Sequence, residues 1–264
     1  MSEKKETRMG IRLGTVLSEQ TNQLRYEPTA KRIRAFLGDE LAVDSVNAIL
    51  IWEPGQFVPT YAVPVSDVGI PLTPAGTDSA ETAHFTTAPK HATLGSQVWL
   101  GSSSGGRGLG LLPEDSDLSG YVILDFGSFE RWFEEADEIF GHPRDPFHRV
   151  DVRRTSRRIQ VLMGDQVLAD TRQGKLVFET MLPTRYYLPP QDMLVALAPT
   201  PTSTICPYKG EASYWSFEAA GEVVQDLIWS YEDPLDGAAA LKGYLGFYDE
   251  KVDLLLDGKP VGAQ

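Results

Sequence analysis

The chain has 264 residues, 42% of them hydrophobic, and its 24 Lys and Arg against 37 Asp and Glu leave a formal net charge of −13. That length can bury two modest cores, while no apolar run approaches the ~18 residues that a membrane-spanning helix requires. An acidic surface repels phosphate backbones, which argues against nucleic acid as a partner, and one cysteine permits no internal disulfide, as expected of a reducing compartment.

Residues 1–23 read as an N-terminal tail: MSEKKETRMGIRLG is charged and lacks the apolar core of a secretory signal, so a cytoplasmic location is expected. Beyond it the sequence repeats. Residues 31–64 align with 157–190 without a gap at an offset of 157 − 31 = 126, with Arg32/Arg158, Ile33/Ile159, Asp44/Asp170, Glu53/Glu179, Tyr61/Tyr187 and Pro64/Pro190 identical. GYVILDF at 120–126 answers GYLGFYD at 243–249. A period far above that of solenoid repeats predicts two whole domains, 24–145 and 146–264.

Each copy opens with two-residue alternation, Ile33, Ala35, Leu37 and Ile159, Val161, Met163, followed by Gly-Asp, which predicts a hairpin with a type II′ turn. Ile49–Trp52 and Leu176–Phe178 are short strands. FVPTYAVP and LPTRYYLPP carry prolines that remove backbone donors, which predicts edge strands or loops. Residues 69–119 of the first copy, rich in Gly, Ser, Thr and Pro, read as surface loops, and Ser102–Gly110 among them as a flexible loop without the Gly-Lys-Ser/Thr ending of a phosphate loop. Phe129–Phe140 has helical spacing, but its counterpart KVDLLLDGKPV reads strand, Asp-Gly turn, strand, so both are predicted hairpins. Residues 213–231 form another hairpin around Ala-Ala-Gly-Glu, and Asp236 before AAALK predicts a short capped helix. The fold class is therefore mainly β: two tandem domains with few short helices.

Candidate chemistry concentrates in the second copy. Cys206 opens CPYKGEASYW; a thiol acts as nucleophile when its pKa is depressed, which the Lys209 ammonium could do, or else Cys206 is an inert buried thiol. Lys209 is alternatively an anion-binding charge, and Gly210 a turn residue. Tyr186, Tyr187, Tyr214, Trp215, Trp229 and Tyr231 suit an apolar pocket with polar tips, or a core; alternation puts Ser213 and Trp215 on one face and Tyr214 on the other. Glu179 and Arg185 could orient a ligand or form an ion pair, and the arginine, opposite Pro59 of the first copy, is special to the second half. The candidate ligand-binding set is Arg185, Tyr187, Tyr208, Ser213, Trp215 and Trp229, with Cys206 and Lys209 as candidate catalytic groups. Four scattered histidines, His84, His91, His142 and His148, lack zinc-site spacing, so no metal is assigned and no cofactor is named. Gly141–Asp151 reads as a proline-braced linker or as a site between the domains. The arginines at 149, 153, 154, 157 and 158 read as a solvated strand face or as an anion site.

Taken in order, RRIQVLMGDQVLADT, LVFETMLPTRYYLPPQDM, TSTICPYKGEASYWS, IWSYEDP and GYLGFYDEKVDLLLDG strongly resemble the bacterial and fungal family catalogued as domain of unknown function 427, also filed under a nucleotidyltransferase-like name. The first half resembles the diverged leading copy of tandem members, with SAETAHFT in place of the cysteine motif. The resemblance implies a β-tent-like domain, similar to methionine sulfoxide reductase B and zinc-anchored modules, whose paired Cys-x-x-Cys motifs this chain lacks. Gly127-Ser128 and Asp137-Glu138 are faintly similar to a nucleotidyltransferase signature, but the repeat puts them on a closing hairpin. The leading expectation is a cytoplasmic protein that binds a small polar or anionic molecule in a pocket of the second repeat beside Cys206, as a thiol-dependent enzyme or a binder. The rivals are a non-catalytic interaction module and nucleotidyltransferase-like activity.

Overall fold

The computed structural model describes residues 10–75, 95–219 and 221–261. The chain divides into two compact units, Met1–Asp145 and Pro146–Gln264.

The first unit begins with a helix inside the expected tail, α1 (Leu13–Gln20), which buries none of its residues. Its strands are β1 (Arg25–Pro28), β2 (Ile33–Leu37), β3 (Glu40–Ser45), β4 (Ile49–Trp52), β5 (Thr60–Pro64), β6 (Leu72–Pro74), β7 (Gly95–Gly101), β8 (Arg107–Pro113), β9 (Tyr121–Leu124), β10 (Arg131–Glu134) and β11 (Asp137–Ile139). They form a seven-stranded sheet, β1-β4-β5-β9-β8-β7-β6, and a four-stranded sheet, β11-β10-β2-β3. The second unit contains β12 (Val150–Arg154), β13 (Ile159–Met163), β14 (Gln166–Thr171), β15 (Lys175–Glu179), β16 (Arg185–Leu188), β17 (Ala198–Cys206), β18 (Gly210–Ala219), β19 (Glu222–Ser230), β20 (Leu245–Phe247), β21 (Asp253–Leu256) and β22 (Lys259–Pro260). Its sheets run β12-β15-β16-β20-β19-β18-β17 and β14-β13-β21-β22. Strand for strand, this is the order of the first unit.

Alternation in β2 and β13 sends Ile33, Ala35 and Leu37, and Ile159 and Val161, into a core between the two sheets of their unit. The seven-stranded sheet also buries part of its other face, under Leu118 in the first unit and under a 3₁₀ turn, Asp236–Leu241, in the second. Burial on both faces explains why Ile49–Trp52 is apolar at every position. The 3₁₀ turn replaces the expected capped helix; Leu235 precedes it and no side chain caps it.

The hairpins at β2–β3, β13–β14, β10–β11, β21–β22 and β18–β19 pair as predicted. Three expectations are corrected. First, the segments around Tyr61 and Tyr187 are neither edges nor loops: β5 and β16 lie inside their sheets. Pro59 precedes β5, Pro64 ends it and Pro189 follows β16, so the donors between them stay intact. Second, residues 69–119 are not all surface loop, because β7 and β8 sit within the sheet and bury Val98, Trp99, Leu100, Leu109 and Leu111. Their glycines serve packing: a Cβ on Gly108 would lie 2.6 Å from Phe129 Cζ. Ser102–Gly110 is accordingly a short turn running into β8.

Third, the gapless alignment slips by one residue. Ile49 pairs with Ala62, whereas Lys175, its equivalent at 175 − 49 = 126, pairs with Tyr187, and 187 − 62 = 125. Tyr61 therefore corresponds to Tyr186, both in the core between the sheets, and Arg185 corresponds to Thr60 rather than Pro59. Tyr187 corresponds to Ala62 and faces the opposite way.

Candidate functional site

Cys206 ends β17 and pairs with Gly210, the first residue of β18. The three residues between them form a type I-like turn with Lys209 N–H donating to Cys206 O at 3.2 Å. Pro207 presets φ for the second turn position, and Gly210 has φ +102°, where a side chain is strained and a Cβ would lie 3.4 Å from Asp233 O. This chemistry turns the Lys209 side chain back over the sheet.

There Lys209 Nζ donates to both oxygens of Glu179, at 2.7 and 2.6 Å. The two side chains are only 11% and 6% exposed, so a nearly buried cation is matched by a nearly buried anion. His148 Nε2 lies 3.3 Å from Glu179 Oε2, and the ring packs on Tyr208 at 4.3 Å. The junction segment thus supplies a histidine to the second unit. No feature of the sequence near His148 announces this; its spacing to Glu179 is set by β12–β15 pairing.

Beside the cluster of Lys209, Glu179 and His148 runs a row of paired residues, Lys175, Tyr187, Gly246, Trp229 and Tyr214, one from each of five adjacent strands. Trp229 Nε1 donates to Tyr187 Oη at 3.0 Å, with the rings edge to face. Gly246 makes room for both: a Cβ there would lie 2.8 Å from Trp229 Cε2 and 3.0 Å from Tyr187 Cε1. Tyr248 packs on Trp229 at 4.8 Å, and its hydroxyl is 3.3 Å from that of Tyr214, which is 2.9 Å from Thr204 Oγ1. Tyr231 and Cys206 border the same cluster. Burial raises the pKa of Tyr187 and Tyr231, and Glu179 and Cys206 push both further up; Tyr248 is pushed up to about 12 by burial and its bond to Tyr214. At neutral pH the phenols are protonated donors. Lys175 donates to Ala240 O and sits 3.4 Å over the Tyr244 ring, with burial lowering its pKa.

Of the residues singled out in the sequence, Cys206, Lys209, Tyr208, Tyr187 and Trp229 come together. Trp215 packs toward the core between the sheets, with Nε1 donating to Ser230 Oγ at 2.9 Å, and Ser213 shares its side of β18. Arg185 does not pair with Glu179; its Nη1 lies 3.1 Å from Glu250 and 3.3 Å from Asp249. The basic cluster is partly compensated as well: Arg149 and Arg153 contact Asp151, Arg157 contacts Asp257 and Arg158 contacts Asp170. Among the described residues no group of three or more His, Cys, Asp or Glu is placed to hold a metal ion. His84, His91 and SAETAHFT lie outside the described residues.

In the first unit the equivalent row is Ile49, Ala62, Ile123, Leu111 and Gln97. The same backbone therefore carries four aliphatic side chains and a glutamine there, and an aromatic, hydroxyl-bearing face in the second unit.

Residues 151–258 match the family model described as domain of unknown function (DUF427). The match takes in the CPYKG turn, Glu179 and every member of the aromatic row, and it lies wholly within the second unit. No curated protein matches the chain. No helix among the described residues is long and apolar enough to cross a membrane.

Proposed function

We propose that the second unit binds a small polar molecule bearing a carbonyl or carboxylate on the aromatic face beside Cys206, and that the first unit is a duplicated copy that does not share this role. The observation that carries the reading is the replacement of the row Ile49, Ala62, Ile123, Leu111, Gln97 by Lys175, Tyr187, Gly246, Trp229, Tyr214 on one backbone. Trp229 occupies an acceptor position of Tyr187 Oη and leaves the phenol proton to donate outward. Tyr187 and Tyr231 stand near the Cys206 thiol, an arrangement of donors around a nucleophile that suits an electron-poor carbonyl. Lys209 acts in this reading by holding Glu179 and the turn, so its charge is already matched. His148, held by Glu179 and packed on Tyr208 of the turn that follows Cys206, is the candidate proton acceptor.

The test is thermal denaturation of the full chain against a panel of small carboxylic acids, amides and lactams. Ligands of this face are expected to raise the midpoint, by mass action, in the wild type and not in Trp229→Ala or Tyr187→Phe. Alkylation of Cys206 by iodoacetamide, followed against pH, reads the thiol directly: a rate that drops in His148→Ala supports a nucleophile. Stabilising ligands that act equally on Trp229→Ala would remove this face from consideration and leave the interaction-module reading.

A further inference from the structure

A second feature of the second unit lies apart from Cys206. The start of β16, the 3₁₀ turn Asp249–Lys251 and β21 line an open cavity of about 530 Å³, within the range of small-molecule sites. The first unit has the same elements and carries aromatic rings at the corresponding positions. Its 3₁₀ turn begins with Phe126 where the second has Asp249, and the residue after each turn is Phe129 or Val252. On the neighbouring strand Trp132 pairs with Ala35 as Leu254 pairs with Val161. Phe126 stacks on Trp132 at 4.8 Å and Phe129 meets it edge-on at 5.1 Å, a plug of three rings. In the second unit a carboxylate, a valine and a leucine stand in for those rings.

Voids and unmatched polar atoms both destabilise a fold, and here they coincide. Asp249 and Glu250 share one cation, Arg185, whose Nη1 lies 3.3 and 3.1 Å away, longer than the ~2.7–2.9 Å of a strong charge-assisted bond. Asp249 Oδ1 is buried with no hydrogen-bond donor among the described residues. Burial raises the Asp249 pKa against the opposing pull of Arg185. Asp253 adds a further carboxylate at the rim, while Leu162, Val252, Leu254 and Val261 form apolar walls. We infer that the cavity is a binding site for a small organic cation, an amine or amidine on an apolar body. Its ammonium supplies the donor and the positive charge that the two carboxylates lack, after a small turn of the Asp249 carboxyl, and its body fills the space the aromatic plug occupies in the first unit.

The experiment is a titration of the full chain with benzylamine, followed by amide NMR shifts, with benzyl alcohol and benzoate as neutral and anionic counterparts. Benzylamine is expected to give saturable shifts at Arg185, Tyr186 and Val252, with benzyl alcohol binding at least about tenfold more weakly and benzoate not at all. Asp249→Asn should weaken benzylamine by about tenfold or more. The pair Val252→Phe and Leu254→Trp, which restores two of the three rings, should abolish saturation and leave the alkylation rate of Cys206 at its wild-type value. Absence of saturable benzylamine shifts, benzoate binding as tightly as the amine, or binding that survives the plug each overturns the inference. Where the plugged variant does not fold, Asp249→Asn decides: unchanged benzylamine affinity overturns it.

Discussion

Lys209 and Glu179 show how a charged pair behaves when both partners leave water together. Their attraction offsets a desolvation cost only while both are present, so removing one strands the other. Lys209→Met or Glu179→Gln alone should destabilise the second unit by about 3–5 kcal/mol in urea unfolding, and the double variant should recover most of the loss. The carboxylates of this molecule also pull its acid stability in opposite directions. Arg158 holds Asp170, and Arg32 holds Asp44, below the usual range, so these residues contribute stability above the unfolded pKa near ~4 that is lost as pH falls through the folded value. Asp249 has the reverse sign: its folded pKa is raised, so its contribution is present at low pH and lost as pH rises from the unfolded to the folded value. Asp249→Asn is thus expected to raise the urea midpoint at neutral pH and to leave it unchanged at about pH 3.

At the level of elements, the β17–β18 hairpin depends on a single left-handed position. Gly210→Ala forces a side chain into φ +102° and should cost about 1–3 kcal/mol, with a faster alkylation of Cys206 as the turn loosens. Gly246→Ala meets two rings at once and should cost a similar ~1–3 kcal/mol, read in the same denaturation series and in the tryptophan emission of Trp229. The hairpins were legible in the sequence because alternation and Gly-Asp or Asp-Gly turns act within a few residues. The sheet interior was not. Gly108 and Gly110 resemble loop residues until Phe129 and Val122 are seen against them, and Pro59 and Pro64 resemble breaks until they fall at strand ends. The one-residue slip between β15 and β16 was hidden for another reason: Tyr186 and Tyr187 are adjacent, so either one satisfies an alignment to Tyr61. Only pairing across the sheet separates the tyrosine of the core from the tyrosine of the candidate site. His148 and Asp249 illustrate the same limit, since each meets its partners through strands distant in sequence.

For the whole molecule, each unit encloses a core between its own two sheets. A chain starting at Pro146 should therefore fold alone, with a cooperative urea transition by circular dichroism and the same Cys206 alkylation rate as the full chain; a broad transition or a changed rate would show that the second unit leans on the first. The formal charge of −13 on the full chain should make it bind poorly to polyanions at low salt.

The shared strand order has one more consequence. Because one chain holds a filled and an emptied version of the same architecture, it contains its own reference state. Exchanging residues between the units, position by position along the registered rows, measures how much a fold gives up in order to keep an opening, without recourse to any second protein.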